Sequence, residues 1–179
     1  MKKECIVLIV AHILAGVSLM LLSIFLKEDS HHYNLMIIAF FIFSILSLLA
    51  CALDENNKLP MRIAYCVVGL TAMIFGLILI MAKDYVSIIA ACIMMGVLEI
   101  INSGVKTEEI IHRIRLKDWF GLLLMPSISA ELVLGVILCI EKEPNIQLHL
   151  ILIGVTLSYE SVVLFAFEFI AKYREKRKE

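Results

Sequence analysis

Six long runs of apolar residues constrain this sequence more than any other feature. A helix rises about 1.5 Å per residue, so that about 20 residues cross the roughly 30 Å hydrocarbon core of a bilayer. The runs cover residues 5–26, 35–53, 63–82, 86–105, 119–140 and 148–171. The sequence therefore predicts an all-α fold, a polytopic membrane helix bundle with six transmembrane helices in a single transmembrane domain over residues 1–179.

The composition excludes several classes of partner. Apolar residues make up 61% of the chain and charged residues 18%, against about 45–50% and about 25% in soluble domains. The net charge of −1 gives no basic excess that would indicate nucleic-acid binding. We expect the lipid bilayer as the partner, no nucleic acid, no cofactor and no metal; the sequence is compatible with a homo-oligomer and identifies no substrate.

The lysines and arginines predict the orientation of the helices. If the six runs alternate in direction, 13 of the 16 basic residues lie on the side of the two termini. Short loops that carry excess Lys and Arg stay in the cytoplasm. We therefore expect both termini to be cytoplasmic.

Glycine spacing indicates an internal repeat of three helical hairpins. Gly16, Gly76 and Gly135 each lie in the first helix of a hairpin, and Gly96 and Gly154 lie in the second helices of the last two. Small residues let membrane helices approach closely. The pattern predicts duplication of a hairpin unit with glycine at the helix interfaces.

One of these hairpins resembles a known family. The stretch GVILCIEKEPNIQLHLILIGVTLSYESVVLF, from Gly135 on, is similar to the hairpin repeat of the HdeD-type acid-resistance membrane proteins, and GVLEIINSG from Gly96 and Trp119 fit the same pattern. The resemblance covers chiefly residues 86–169. It implies a six-span protein of the bacterial cytoplasmic (inner) membrane, associated with acid stress, and it supplies no catalytic residues.

Acidic residues inside the predicted spans are the sharpest functional signal. Glu99, Glu131, Glu160 and Glu168 lie within the apolar runs, where an acidic side chain costs about 2.5–3.5 kcal/mol on insertion scales. Glu168 is near enough to the inner surface to reach it. We expect no Lys or Arg within a span to neutralise the other three.

Each deeper acid has a hydroxyl four residues away, on the same helix face. The predicted polar stripes combine Glu99 with Asn102 and Ser103, Glu131 with Ser127, and Glu160 with Thr156. Two interpretations stay open. A carboxyl in a low-dielectric cavity could carry protons or bind a cation. Alternatively, it could act only as an interhelical hydrogen-bonding group that stabilises the bundle.

Two further residues bear on that choice. His12 lies in the first span and could join a proton relay, although a lone histidine in an apolar helix is more often a packing residue. Pro126 interrupts the fifth span and predicts a kink near Glu131, an arrangement found at transporter ion sites and in simple packing bends.

The segment 106–118 is the longest predicted loop. Its isoleucines predict a short interfacial helix. Asp118 follows that helix and is predicted to cap the N-terminus of the fifth span. Its EEIIHR motif, residues 108–113, also resembles the first motif of CAAX-type membrane proteases. The later motifs of those proteases are absent from the sequence, so we predict no enzymatic activity and retain proteolysis only as a remote alternative.

Overall fold

A computed structural model describes residues 3–26, 31–53, 59–82, 84–115 and 119–176. These residues form α1 (Lys3–Phe25), α2 (His32–Leu53), α3 (Leu59–Ala82), α4 (Ile88–Arg115), α5 (Met125–Ile140) and α6 (Ile146–Lys176), with a 3₁₀ helix (Trp119–Leu124) before α5. No strand occurs among them. The predicted all-α bundle of six long helices is confirmed.

The exterior of the bundle is apolar, and its interior holds both apolar and charged side chains. Apolar side chains such as Leu14, Val67 and Val162 are more than half exposed on its outside, whereas Glu99 and Glu131 are almost completely buried. A continuous apolar exterior marks a surface that meets lipid or another protein. All six helices are long and apolar enough to cross a membrane, so the fold is compatible with a multi-pass membrane protein.

The helices pack most extensively as three pairs, α1 with α6, α2 with α3 and α4 with α5. Glycines permit two of these contacts. A Cβ added to Gly16 would lie 2.6 Å from the carbonyl oxygen of Gly154, and one added to Gly96 would lie 2.5 Å from that of Gly135. These pairs are not the helices joined within each predicted hairpin. The threefold hairpin repeat stays a prediction.

Helix α4 is longer than its predicted span. It continues without interruption through residues 106–115, so the prediction of a loop with a separate interfacial helix there is wrong for those residues. The sequence offers no Pro in this stretch to end the helix, and an i,i+4 ion pair between Glu109 and Arg113, at 2.8 Å, stabilises its last turns. The proposed cap Asp118 lies outside the described residues.

The fifth span begins differently from the prediction. Residues Trp119–Leu124 form a 3₁₀ helix, and Pro126 occupies the first turn of α5. In the first helical turn the missing N–H of proline has no intrahelical partner to lose. Pro126 therefore starts α5, and the predicted kink in mid-helix is wrong.

Candidate functional site

A lysine and two glutamates form an ion cluster between α4, α5 and α6. The ammonium nitrogen Nζ of Lys106 donates to Oε1 of Glu131 at 2.7 Å and to Oε1 and Oε2 of Glu160 at 2.7 and 2.9 Å. We call these three residues the lysine cluster. Their side chains are 15%, 1% and 5% exposed. Each carboxylate of the cluster therefore has a direct, charge-assisted contact with the same ammonium group.

The extension of α4 explains how Lys106 reaches the two acids. Because the helix continues past residue 105, Lys106 points inward from α4 instead of lying in a loop. Asn102, one turn earlier on the same face, donates from Nδ2 to Oε2 of Glu131 at 3.2 Å. The expectation that no basic residue within a span neutralises the acids is therefore wrong: Lys106 is the basic partner of two of them.

A cavity of about 90 Å³ adjoins the lysine cluster and receives residues from all six helices. Its charged lining consists of Lys106, Glu109, Arg113, Glu131 and Glu160. Glu109 and Arg113 neutralise one another. Lys106 balances only one of the two remaining carboxylates, so that the fully ionised cavity has one negative charge in excess. Its electrostatics favour a cation or a proton over an anion.

Tyr65 and Arg113 hold one side of the cavity in place. The hydroxyl of Tyr65 donates to Oε2 of Glu109 at 2.9 Å, and Nη2 of Arg113 contacts Oε1 of Glu109 at 2.8 Å. Both oxygens of Glu109 are therefore engaged by basic or hydroxyl groups. Glu109 belongs to the protease-like motif, and here its carboxylate joins α3 to α4.

A second buried polar contact lies about 10 Å away along α4, since seven residues separate Glu99 from Lys106 at a rise of about 1.5 Å each. Nε2 of His149 and Oε1 of Glu99 are 2.8 Å apart, and the two side chains are 5% and 0% exposed. We call these two residues the histidine pair. His149 lies in the first turn of α6. The side-chain oxygen of Asn145, just before that helix, accepts from the backbone N–H of Leu148 at 3.0 Å.

The structure separates the predicted site residues into two groups. The lining of the cavity includes Glu131, Glu160, Asn102 and His12, but not Glu99. His12 donates from Nδ1 to the carbonyl of Leu8 at 2.8 Å. The side chain of Glu168 lies outside the part of the chain that the structure describes.

The predicted hydroxyl partners do not bond to the glutamates. Ser103 donates to the carbonyl of Ile100, Ser127 to that of Leu124 and Thr156 to that of Ile153, each at 2.8 Å. The hydroxyls that share helix faces with the glutamates are buried, but they bond to the helix backbone and not to the carboxylates. A hydroxyl in a membrane helix satisfies its donor on its own backbone, while the charged carboxylates require stronger donors.

Sequence reasoning missed Lys106 and His149. The signal for Lys106 was present, because polar residues recur along one face of α4 at 99, 102, 106, 109 and 113, which is the spacing of a single helix stripe. Taking Lys106 as the start of a loop hid that periodicity. His149 is the second residue of the sixth predicted span, beside the loop that precedes it. No regular sequence spacing relates His149 to Glu99.

The fold and the cavity are those of a helical bundle that is compatible with a multi-pass membrane protein and that has charged side chains buried between its helices. Comparisons with protein-family models, with curated proteins and with solved structures give no match. Within residues 3–26, 31–53, 59–82, 84–115 and 119–176, no group of three or more His, Cys, Asp or Glu side chains is placed to hold a metal ion. The charged side chains that line the cavity are three carboxylates, one ammonium group and one guanidinium group.

Proposed function

We propose that this chain is a small multi-pass membrane transporter that exchanges protons for a small cation or cationic solute. Its membrane is the bacterial cytoplasmic membrane, with both termini inside, as the basic residues and the family resemblance suggest. The observation that supports exchange is the shared ammonium contact in the cavity: Lys106 lies 2.7 Å from both Glu131 and Glu160.

Competition for the two carboxylates gives the exchange its physical basis. Two acids beside one ammonium group leave an excess negative charge in a poorly hydrated site, which is costly unless a further cation or a proton joins them. A proton, a solute cation and Lys106 then compete for two binding positions. Entry of a solute cation favours release of the proton, and this linkage couples the two fluxes.

A second candidate is an acid-stress membrane protein without transport or catalytic activity, as the resemblance to the HdeD-type proteins implies. The observation that favours it is that Lys106 joins α4 to acids on both α5 and α6. In that case the lysine cluster is an interhelical bond that holds the bundle together, and its carboxylates never exchange their partner.

A proton-flux assay tests the two candidates. The purified protein is reconstituted into liposomes that contain a pH-sensitive dye, and Na⁺, K⁺, choline or a short alkylammonium salt is added outside. Wild-type protein is compared with Glu131→Gln and Glu160→Gln, each of which leaves Lys106 one carboxylate. Glu143→Gln is the matched control, because Glu143 is exposed on the loop between α5 and α6.

We expect at least one cation to drive proton movement through wild-type protein and through Glu143→Gln, and this flux to fall at least about tenfold in both cavity variants. A tenfold change corresponds to about 1.4 kcal/mol, well within the contribution of a charged contact. Flux that is equal in all four proteins and above protein-free liposomes would reject the role of the two carboxylates. Flux no greater than in protein-free liposomes would reject transport and leave the second candidate.

A further inference from the structure

The group that binds the carboxylates of Glu131 and Glu160 in the structure is a primary ammonium group on an alkyl chain, the side chain of Lys106. Lys106 Nζ makes three contacts of 2.7–2.9 Å with Glu131 and Glu160. Such distances are those of N⁺–H···O⁻ hydrogen bonds. The two acids are therefore spaced to receive the N–H groups of an ammonium ion.

The surroundings favour a cation that donates hydrogen bonds over a bare metal ion. Metal ions such as Mg²⁺ and Ca²⁺ take six or more oxygen ligands. The described residues provide no group of three metal-ligating side chains, and Asn102 directs its amide nitrogen toward Glu131. A hard metal ion would have few protein oxygens to replace its water, whereas an ammonium group uses the two carboxylates that are present.

The walls of the cavity suit an alkyl chain. Beyond its charged groups the lining is largely apolar, with Leu8, Phe43, Leu46, Leu124 and Leu157 among its members. A volume of about 90 Å³ exceeds the roughly 10–15 Å³ that one water molecule requires by this type of measure. The cavity can therefore hold a small solute whose body is hydrocarbon and whose head is charged.

We propose that Glu131 and Glu160 bind a short-chain primary alkylammonium ion, which takes the place of the Lys106 ammonium group when that side chain withdraws into the cavity. Lysine carries its charge on a flexible four-carbon stem, and Lys106 itself lines the cavity. The proposal deepens the proposed function by naming its substrate class, and only its transport aspect rests on that function, because binding is measurable without flux.

Removal of the lysine head group gives the most direct test. Lys106→Ala lacks the fragment Cγ–Cδ–Cε–Nζ, which is n-propylammonium. The full-length variant in detergent is titrated with n-propylammonium chloride, and its thermal unfolding midpoint and binding isotherm are recorded. Tetramethylammonium, which has the charge but no N–H donor, and 1-propanol, which has the chain but no charge, serve as matched probes.

We expect n-propylammonium to bind saturably and to raise the unfolding midpoint of Lys106→Ala, since a ligand that binds only the folded state stabilises it. Neither matched probe has this effect. The triple variant Lys106→Ala, Glu131→Gln, Glu160→Gln does not respond. Equal stabilisation by tetramethylammonium, or a response that persists in the triple variant, would overturn the proposal.

Wild-type protein supplies the test if Lys106→Ala does not fold. Although Lys106 competes as a tethered ligand at an effective concentration in the millimolar range, wild-type protein should bind n-propylammonium saturably and more tightly than tetramethylammonium. Binding should vanish in the double variant Glu131→Gln, Glu160→Gln. If the double variant binds n-propylammonium as wild-type protein does, the proposal is wrong.

The outcomes separate this proposal from the proposed function. If K⁺ or Na⁺ drives proton flux while n-propylammonium fails to bind, transport stands and the substrate class is wrong. If n-propylammonium binds but no cation drives proton flux, the site exists and the transport proposal fails.

Discussion

The two buried polar groups of α4 differ in the partners of their carboxyl groups and in their surroundings. The histidine pair matches one carboxylate with one imidazole, and a Cβ on nearby Gly135 would lie 3.1 Å from the side chain of Glu99. The lysine cluster sets two carboxylates against one ammonium group and borders a cavity. One region is closely packed and leaves Oε2 of Glu99 without a hydrogen-bond partner among the described residues, and the other has unequal charges beside open space.

The difference shows that a buried glutamate can bond two helices together at one depth of the bundle, while glutamates at another depth can exchange one cation for another. Glu99 joins α4 to α6 through a single partner, so its carboxylate has no second cation to exchange with among the described residues. Glu131 and Glu160 share one partner and have room beside them for another. Variants in the two regions should therefore change different properties.

The largest effect is expected from Lys106→Met. This change leaves two carboxylates buried without their cation, and removal of one partner of a buried ion pair costs about 3–5 kcal/mol. Unfolding of the reconstituted protein by denaturant should show this loss. Adding Glu131→Gln and Glu160→Gln to Lys106→Met should recover most of the stability, because the uncompensated charges are then gone. A loss that the triple variant retains in full would mean that the lysine stem, and not its charge, stabilises the bundle.

The histidine pair should lose less stability when it is broken. Glu99→Gln keeps the shape of the side chain but replaces its carboxyl group with an amide, and a buried group that loses its hydrogen-bond partner costs about 1–3 kcal/mol. We expect a stability loss of that size with proton flux close to the wild-type value. Loss of flux with unchanged stability would place Glu99 in the transport path and erase the distinction between the two regions.

Close packing beside the histidine pair can be tested with a methyl group. Gly96→Ala introduces a Cβ 2.5 Å from the backbone oxygen of Gly135, and overpacking of this kind costs about 1–3 kcal/mol. Gly104→Ala on the same helix is the control, since its Cβ would meet no atom of the described chain within 4 Å beyond its own helix backbone. Thermal unfolding should separate the two variants, and equal midpoints would show that α4 and α5 can move apart at little cost.

The smallest effect is expected at the side of the cavity. Tyr65→Phe removes the hydroxyl that donates to Glu109 at 2.9 Å, while Arg113 retains its contact with the same carboxylate. A hydrogen bond to a charged group contributes about 1.5–3 kcal/mol, and we expect a loss at the low end of that range because Arg113 still neutralises Glu109. A small fall in the unfolding midpoint with retained binding of n-propylammonium is the expected result; abolished binding would make Tyr65 part of the binding site itself.

The sequence predicts the bundle well because hydrophobic length alone specifies a membrane-spanning helix. It also identifies Glu131, Glu160 and Asn102, since polar groups in apolar runs are conspicuous. It misses Lys106 because apolar content falls near residue 105 although the helix does not end there. Pairing of Glu99 with His149 depends on how α4 and α6 pack, which no local pattern encodes.

Infrared difference spectroscopy of the carboxyl groups tests the central claim most directly. The claim is that Glu131 and Glu160 exchange a proton within the bundle, so acidification of wild-type protein should produce a protonated-carboxyl band. The part of that band that is lost in the double variant Glu131→Gln, Glu160→Gln should diminish when n-propylammonium is added to wild-type protein, and Glu143→Gln should retain that part. A double variant with the same carboxyl spectrum as wild-type protein would contradict the account.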